Sequence, residues 1–146
     1  MAGHAGSTPR PLAKVASGGE LSRLALAVAV TTARHAGGAA TLIFDEIDAG
    51  IGGAAATSVG RALAELATDH QVIVVTHLAQ VAAYANAQLA VTKVAGELSV
   101  STIATLDDAA RVVELSRMLS GQPESETARR HAEELLSLAG ADRGRS

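Results

Sequence analysis

No cysteine occurs in the 146-residue chain, which excludes disulfides and thiolate metal centres. Tryptophan is absent too, and the aromatic complement is Phe44 and Tyr84 alone. The core must therefore be built from Ala, Val, Leu and Ile. Such a core has little volume per residue and gains from extra burial against a partner. No apolar run approaches the roughly 20 residues of a membrane-spanning helix, and residues 1–10 carry no apolar signal-peptide core. A cytoplasmic protein without membrane contact is the expectation. Excess positive charge is also missing: the net charge is −3, so composition gives no argument for nucleic-acid binding by this piece.

What is present is the composition of a folded domain. Hydrophobic residues make up 48% and charged residues 18%, and a chain of this length typically buries ~70% of its unfolded surface. Residues 1–13, rich in Gly, Ala and Pro, read as a loop or a cut end. Ser17-Gly18-Gly19-Glu20 then opens a helical pattern, with Leu21, Leu24, Ala25 and Val28 on one face and Gly37-Gly38 as its stop. Thr41-Leu42-Ile43-Phe44 predicts a buried parallel strand ending in Asp45-Glu46. After a glycine-rich loop, Ala49 to Gly53, a second helix carries Val59, Ala62, Leu63 and Leu66 on one face. Gln71 to Val75 predicts a second buried strand ending in Thr76-His77, which completes a βαβ unit. Residues 78–86 read as helical, 89–94 and 98–103 as a hairpin around Ala95-Gly96-Glu97, and 108–119 and 126–139 as two amphipathic helices. Their inward faces are Val112, Leu115, Leu119 and Ala128, Ala132, Leu135, Ala139.

Four constellations carry possible chemistry. Asp45 and Glu46 sit at the carboxyl end of a strand, where open α/β sheets bind ligands. One carboxylate there can help hold Mg²⁺ and the other can orient or deprotonate water; the plainer reading is a solvated strand end. Ser17, Gly18, Gly19 and Glu20 open a helix whose unpaired N–H groups suit a phosphate, although Ser17 and Glu20 also fit a capping box. His77 ends the neighbouring strand on the same edge, where it can contact a phosphate or fix a water; a lone histidine there is more often structural. Asp48 to Gly53 follows the acids directly and is equally readable as turn chemistry. His4, His35, His70 and His131 lack metal-ligand spacing.

The order of these elements is more specific than any one. Ser17–Ser22, Thr41–Glu46, Ile47–Gly53 and Thr76-His77 resemble the signature motif, Walker B strand, D-loop and switch histidine of an ATP-binding-cassette head. The segments Leu12–Arg23, Thr41–Gly53 and Val75–Ala83, with Arg117–Gly121 and His131–Leu136, are similar to the RecN family of the SMC-like branch. The pairing of Ser-Gly-Gly-Glu with Asp-Glu-Ile-Asp is unlike transporter cassettes. Ala79 stands where a proline is common, and Ala54 where a basic residue often follows the loop glycines.

The resemblance implies an α/β fold: a partial P-loop NTPase head of ABC/SMC type, with parallel strands flanked by helices plus a β-hairpin. Residues 1–13 would be a loop or truncated coiled-coil return, and 14–146 the carboxy-terminal lobe of the head. It further implies ATP and Mg²⁺ as cofactors, both requiring an amino-terminal half. Asp45 would serve the metal, Glu46 would activate water and His77 would sense the γ-phosphate. Ser17, Gly18, Gly19 and Glu20 would meet a nucleotide held by a second head, and Asp48 would link the two sites. The implied partners are the amino-terminal head half or a second head, and DNA through the complete, nucleoid-associated protein during recombinational repair of double-strand breaks. A P-loop, G-x-x-x-x-G-K-[ST], is not in this sequence: its lysines are Lys14 and Lys93, and neither follows a glycine. The chain alone is therefore expected to be inactive as an ATPase. The competing reading is a non-catalytic fragment that docks on an intact head and regulates it. In either case a half-sheet would expose apolar surface, which predicts marginal stability or self-association.

Overall fold

The computed structural model describes residues 27–28, 31–32, 41–45, 48, 50–94 and 100–144. Among them, β1 (Thr41–Asp45), α1 (Ala54–Leu66) and β2 (Gln71–Val75) form the βαβ unit. Then come α2 (Ala79–Ala82), the hairpin strands β3 (Leu89–Val94) and β4 (Val100–Thr105), and the helices α3 (Asp108–Ser120) and α4 (Glu126–Arg143). β1 and β2 pair in parallel, with Leu42 opposite Val72, Phe44 opposite Val74 and Asp45 opposite Val75. β3 and β4 pair antiparallel as a separate sheet. The observed mixed α/β architecture, with a parallel pair and flanking helices, matches the coarse expectation.

The parallel strands, read as buried, are covered on one side. Side chains alternate across a strand, and only one face is covered. Phe44 is 8% exposed and packs with Leu42, Val72 and Val74 against Ile51, Val59 and Leu63. On the other face Ile43 is 69%, Ile73 44% and Val75 53% exposed. The half-sheet thus presents the apolar surface expected of it. Val28, read as part of one apolar helix face, is 58% exposed. Residues 27, 28, 31 and 32 are helical, and Thr31 Oγ1 donates to the Ala27 carbonyl at 2.7 Å.

The helix expected over 78–86 is a single turn, α2. Its carbonyls past Ala82 are claimed by side chains: Arg111 Nη2 donates to Ala85 O at 2.9 Å, and Arg143 Nη1 donates to the same oxygen at 3.2 Å. The second hairpin strand runs two residues past the expected end at Ile103, pairing as far as Leu89–Thr105, and the ladder is extended by Leu106 N–H donating to Gln88 O at 3.0 Å; its expected start at Leu98 lies outside the described residues. The turn expected at Ala95-Gly96-Glu97 lies outside the described residues. Asp107 caps α3 by accepting from Ala110 N at 2.8 Å, and Gly121, left-handed at φ 73°, ends it. Ser125 caps α4 by accepting from Ala128 N, and that helix runs four residues past Ala139, to Arg143. Its end is held by Arg143 on Asn86 Oδ1 at 2.9 Å and by Asp142.

α1 joins the two halves of the core. Val59, Leu63 and Leu66 face the sheet, while Gly60 lies against α2: a Cβ there would sit 2.7 Å from Tyr84 Cδ2 and 3.0 Å from the Gln80 carbonyl. Beyond that contact Tyr84, Leu115, Ala132 and Ala139 form the second core cluster. No described helix is long and apolar enough to cross a membrane.

Candidate functional site at the strand ends

Parallel pairing brings the carboxyl ends of β1 and β2 to one edge. Asp45, paired with Val75, is the last residue of β1 and is exposed. Thr76 and His77 follow β2 directly, and His77 projects from the edge with 67% of its side chain exposed. The loop after β1 turns back under them. Ile51 N–H donates to the Asp48 carbonyl at 2.9 Å, and Gly50 (φ 74°) and Gly53 (φ 56°) take left-handed conformations that a side chain would strain. This turn folds Asp48 inward.

Asp48 is fully buried. Thr76 Oγ1 donates to Asp48 Oδ2, and the same hydroxyl accepts from Leu78 N–H at 3.0 Å, bracing the entry to α2. Asp48 Oδ1 has no geometrically sound hydrogen bond, but His77 Nδ1 lies 3.4 Å away. That is long for a hydrogen bond and close for an electrostatic contact. The structure therefore joins Asp48, Thr76 and His77, and places Asp45 on the same edge. A role for Asp48 between two heads was implied by the resemblance; within this chain its carboxylate is enclosed and turned toward Thr76 and His77. The expected site residues Ser17, Gly18, Gly19, Glu20 and Glu46 lie outside the described residues. No group of three or more acidic or histidine side chains arranged for a metal occurs among the described residues.

Two polar clusters escaped the sequence reading. Asp142 on α4 accepts from Arg61 on α1 at 2.7 Å and from the Tyr84 hydroxyl at 2.6 Å. The hydrogen bond to Asp142 raises the Arg61 pKa, and burial raises that of Tyr84. Arg111, 8% exposed, spans from α3 to the Ala85 carbonyl; burial, then the charge of Arg143, lowers its pKa. A cleft of about 230 Å³ opens beside these groups, lined by Arg61, Glu65, Thr68, Tyr84, Asp142 and Arg143. Its charges of opposite sign balance, so it has no evident preference for an ion. The sequence carried one usable signal: arginines within amphipathic helices, one of them, Arg111, a single turn ahead of the buried Leu115.

No protein-family model matches the chain. It is similar to the DNA repair protein RecN of Streptomyces coelicolor, at 56% identity over 144 residues, 98% of this chain and 25% of that protein. RecN of Mycobacterium leprae is 54% identical over 143 residues, 98% of this chain and 24% of that protein. RecN of Treponema pallidum is 46% identical over 144 residues, again 98% of this chain and 25% of that protein. The chain spans about a quarter of the length of these curated relatives. The similarity is thus to DNA repair protein RecN, and it falls on the carboxy-terminal quarter of those proteins.

Proposed function

We propose that this chain is the carboxy-terminal lobe of an ATPase head of ABC/SMC type, from a DNA repair protein of the RecN kind. It supplies the signature motif, Walker B strand, D-loop and switch histidine, and the P-loop comes from an amino-terminal half. The observation that carries the reading is the convergence of Asp45, Asp48, Thr76 and His77 at the carboxyl ends of two parallel strands, the edge where such sheets bind ligands. The close similarity to RecN supports the assignment to DNA repair, and the reading extends it to recombinational repair of double-strand breaks.

Each residue then has a task. Mg²⁺ typically takes one or two carboxylates, substrate phosphates and water, so the single exposed Asp45 suits it without a closed cage. Bound there, the ion would offset phosphate charge. Glu46 orients or deprotonates the attacking water. His77 presents an exposed imidazole toward the terminal phosphate. Ser17, Gly18, Gly19 and Glu20, which resemble the signature motif, would meet a nucleotide held by a second head.

Calorimetry with Mg²⁺ and ATP, on the chain alone and after adding the amino-terminal head fragment of a relative, tests this. Binding only to the mixture supports a split head. Tight binding by the chain alone, or none by the mixture, overturns it. Within the mixture Glu46→Gln should abolish turnover while leaving binding intact. A second reading, a non-catalytic fragment that docks on an intact head, draws on the exposed Ile43, Ile73 and Val75. It predicts that the chain inhibits the ATPase of an intact relative, and that an Ile43→Lys variant does not.

A further inference from the structure

We propose that Asp48 and Thr76 are positioning residues that fix the tautomer of His77, holding the proton on Nδ1 and leaving Nε2 as the free nitrogen. The argument follows one chain of hydrogen bonds. Leu78 N–H donates to Thr76 Oγ1 at 3.0 Å, which directs the hydroxyl proton away from Leu78. That proton goes to Asp48 Oδ2. The other carboxylate oxygen, Oδ1, is buried with no partner satisfying hydrogen-bond geometry, and His77 Nδ1 lies 3.4 Å from it.

A buried carboxylate is an acceptor only, and an unmatched buried oxygen is costly. A lone pair on Nδ1 would face Oδ1 repulsively, whereas an Nδ1–H faces it with favourable electrostatics. Nδ1–H is therefore the selected state of the neutral ring, and Nε2 is the nitrogen left free on a ring that is 67% exposed. Nε2 accepts from a water in the neutral ring and donates to an anionic oxygen once protonated. The meaning of this for phosphate sensing rests on the proposed ATPase reading; the tautomer itself does not.

The test is ¹⁵N NMR of the histidine-labelled full chain at pH about 8.5, two units above the usual histidine pKa of about 6.5. His77→Gln assigns the signal. The wild-type chain should show His77 mainly as Nδ1–H. Asp48→Asn should invert it: Thr76 keeps the amide oxygen as its acceptor, so the amide NH₂ faces Nδ1, which must then accept, and the proton moves to Nε2. Thr76→Ser, which retains the hydroxyl, should leave the wild-type pattern. A wild-type ring mainly in the Nε2–H form overturns the proposal, even if Asp48→Asn fails to fold. So does a folded Asp48→Asn chain with an unchanged ratio. ATP calorimetry reads the functional assignment separately, so a failed split head with the expected tautomer sinks only that assignment.

Discussion

Gly60→Ala and Gly140→Ala are the same substitution in two helices, and the structure predicts opposite signs. In a helix interior alanine is favoured over glycine by about 1 kcal/mol, chiefly because glycine loses more backbone freedom on folding. At Gly140 on α4 an added Cβ meets nothing within 4 Å, so the gain should appear almost whole, about 0.5–1 kcal/mol. At Gly60 the Cβ would lie 2.7 Å from Tyr84 Cδ2 and 3.0 Å from the Gln80 carbonyl oxygen. The ring cannot swing away freely: Tyr84 is 4% exposed and its hydroxyl donates to Asp142 at 2.6 Å. The carbonyl is backbone and can yield only if α2 shifts. Overpacking of this kind costs about 1–3 kcal/mol; with a 2.7 Å contact to a ring that cannot swing away, the upper part of that range, about 2–3 kcal/mol, applies, and less the gain of about 1 kcal/mol the net loss is about 1–2 kcal/mol. Urea unfolding followed by far-ultraviolet circular dichroism measures both variants. Gly60→Ala unfolding at the same or higher urea than wild type would refute the close packing of α1 on α2.

Leu115, fully buried between α3 and its neighbours, should cost about 2–5 kcal/mol when cut to alanine, read as a lower urea midpoint. Replacing the α3 cap Asp107 by alanine removes the acceptor for Ala110 N–H and should cost about 1 kcal/mol, read the same way. Tyr84 gives a pH prediction. Burial, the largest cause, and the hydrogen bond to Asp142 raise its pKa above the usual 10. Its stabilisation is fully present below the unfolded value and is lost as pH rises through the folded one, so stability should decline at alkaline pH. As the chain's single tyrosine, its phenolate absorbance reports the titration directly, and Tyr84→Phe should remove this part of the decline.

The fold was legible where one residue type dominates a periodic position. Ala128, Ala132, Leu135 and Ala139 were read as one helix face and are all buried. The strands Thr41–Asp45 and Gln71–Val75 stood out as short apolar runs. A run of apolar residues, however, does not say whether both faces of a strand are covered; that depends on what packs there, and Ile43 and Ile73 have identities suited to burial while remaining exposed. Helix ends were the weaker part. α2 stops early because side chains from α3 and α4, distant in sequence, take the carbonyls of residues 83 and 85. No local pattern around residue 83 encodes an arginine arriving from position 111.

The site divides along the same line. Asp45 and His77 were readable because a strand's carboxyl end is a local address and parallel pairing brings two such ends together. Asp48 was readable as a residue of interest, but its direction was not. A carboxylate three positions past a strand can face solvent, a second molecule or its own core. The left-handed Gly50 and the turn from Ile51 back to Asp48 decide in favour of the core. Once inside, an acid must find donors or lose its charge. Thr76 supplies one hydroxyl, and His77 Nδ1 is the only other titratable group paired with it among the described residues. The same turn that buries Asp48 therefore sets its carboxylate against the Thr76 hydroxyl and Nδ1 of His77.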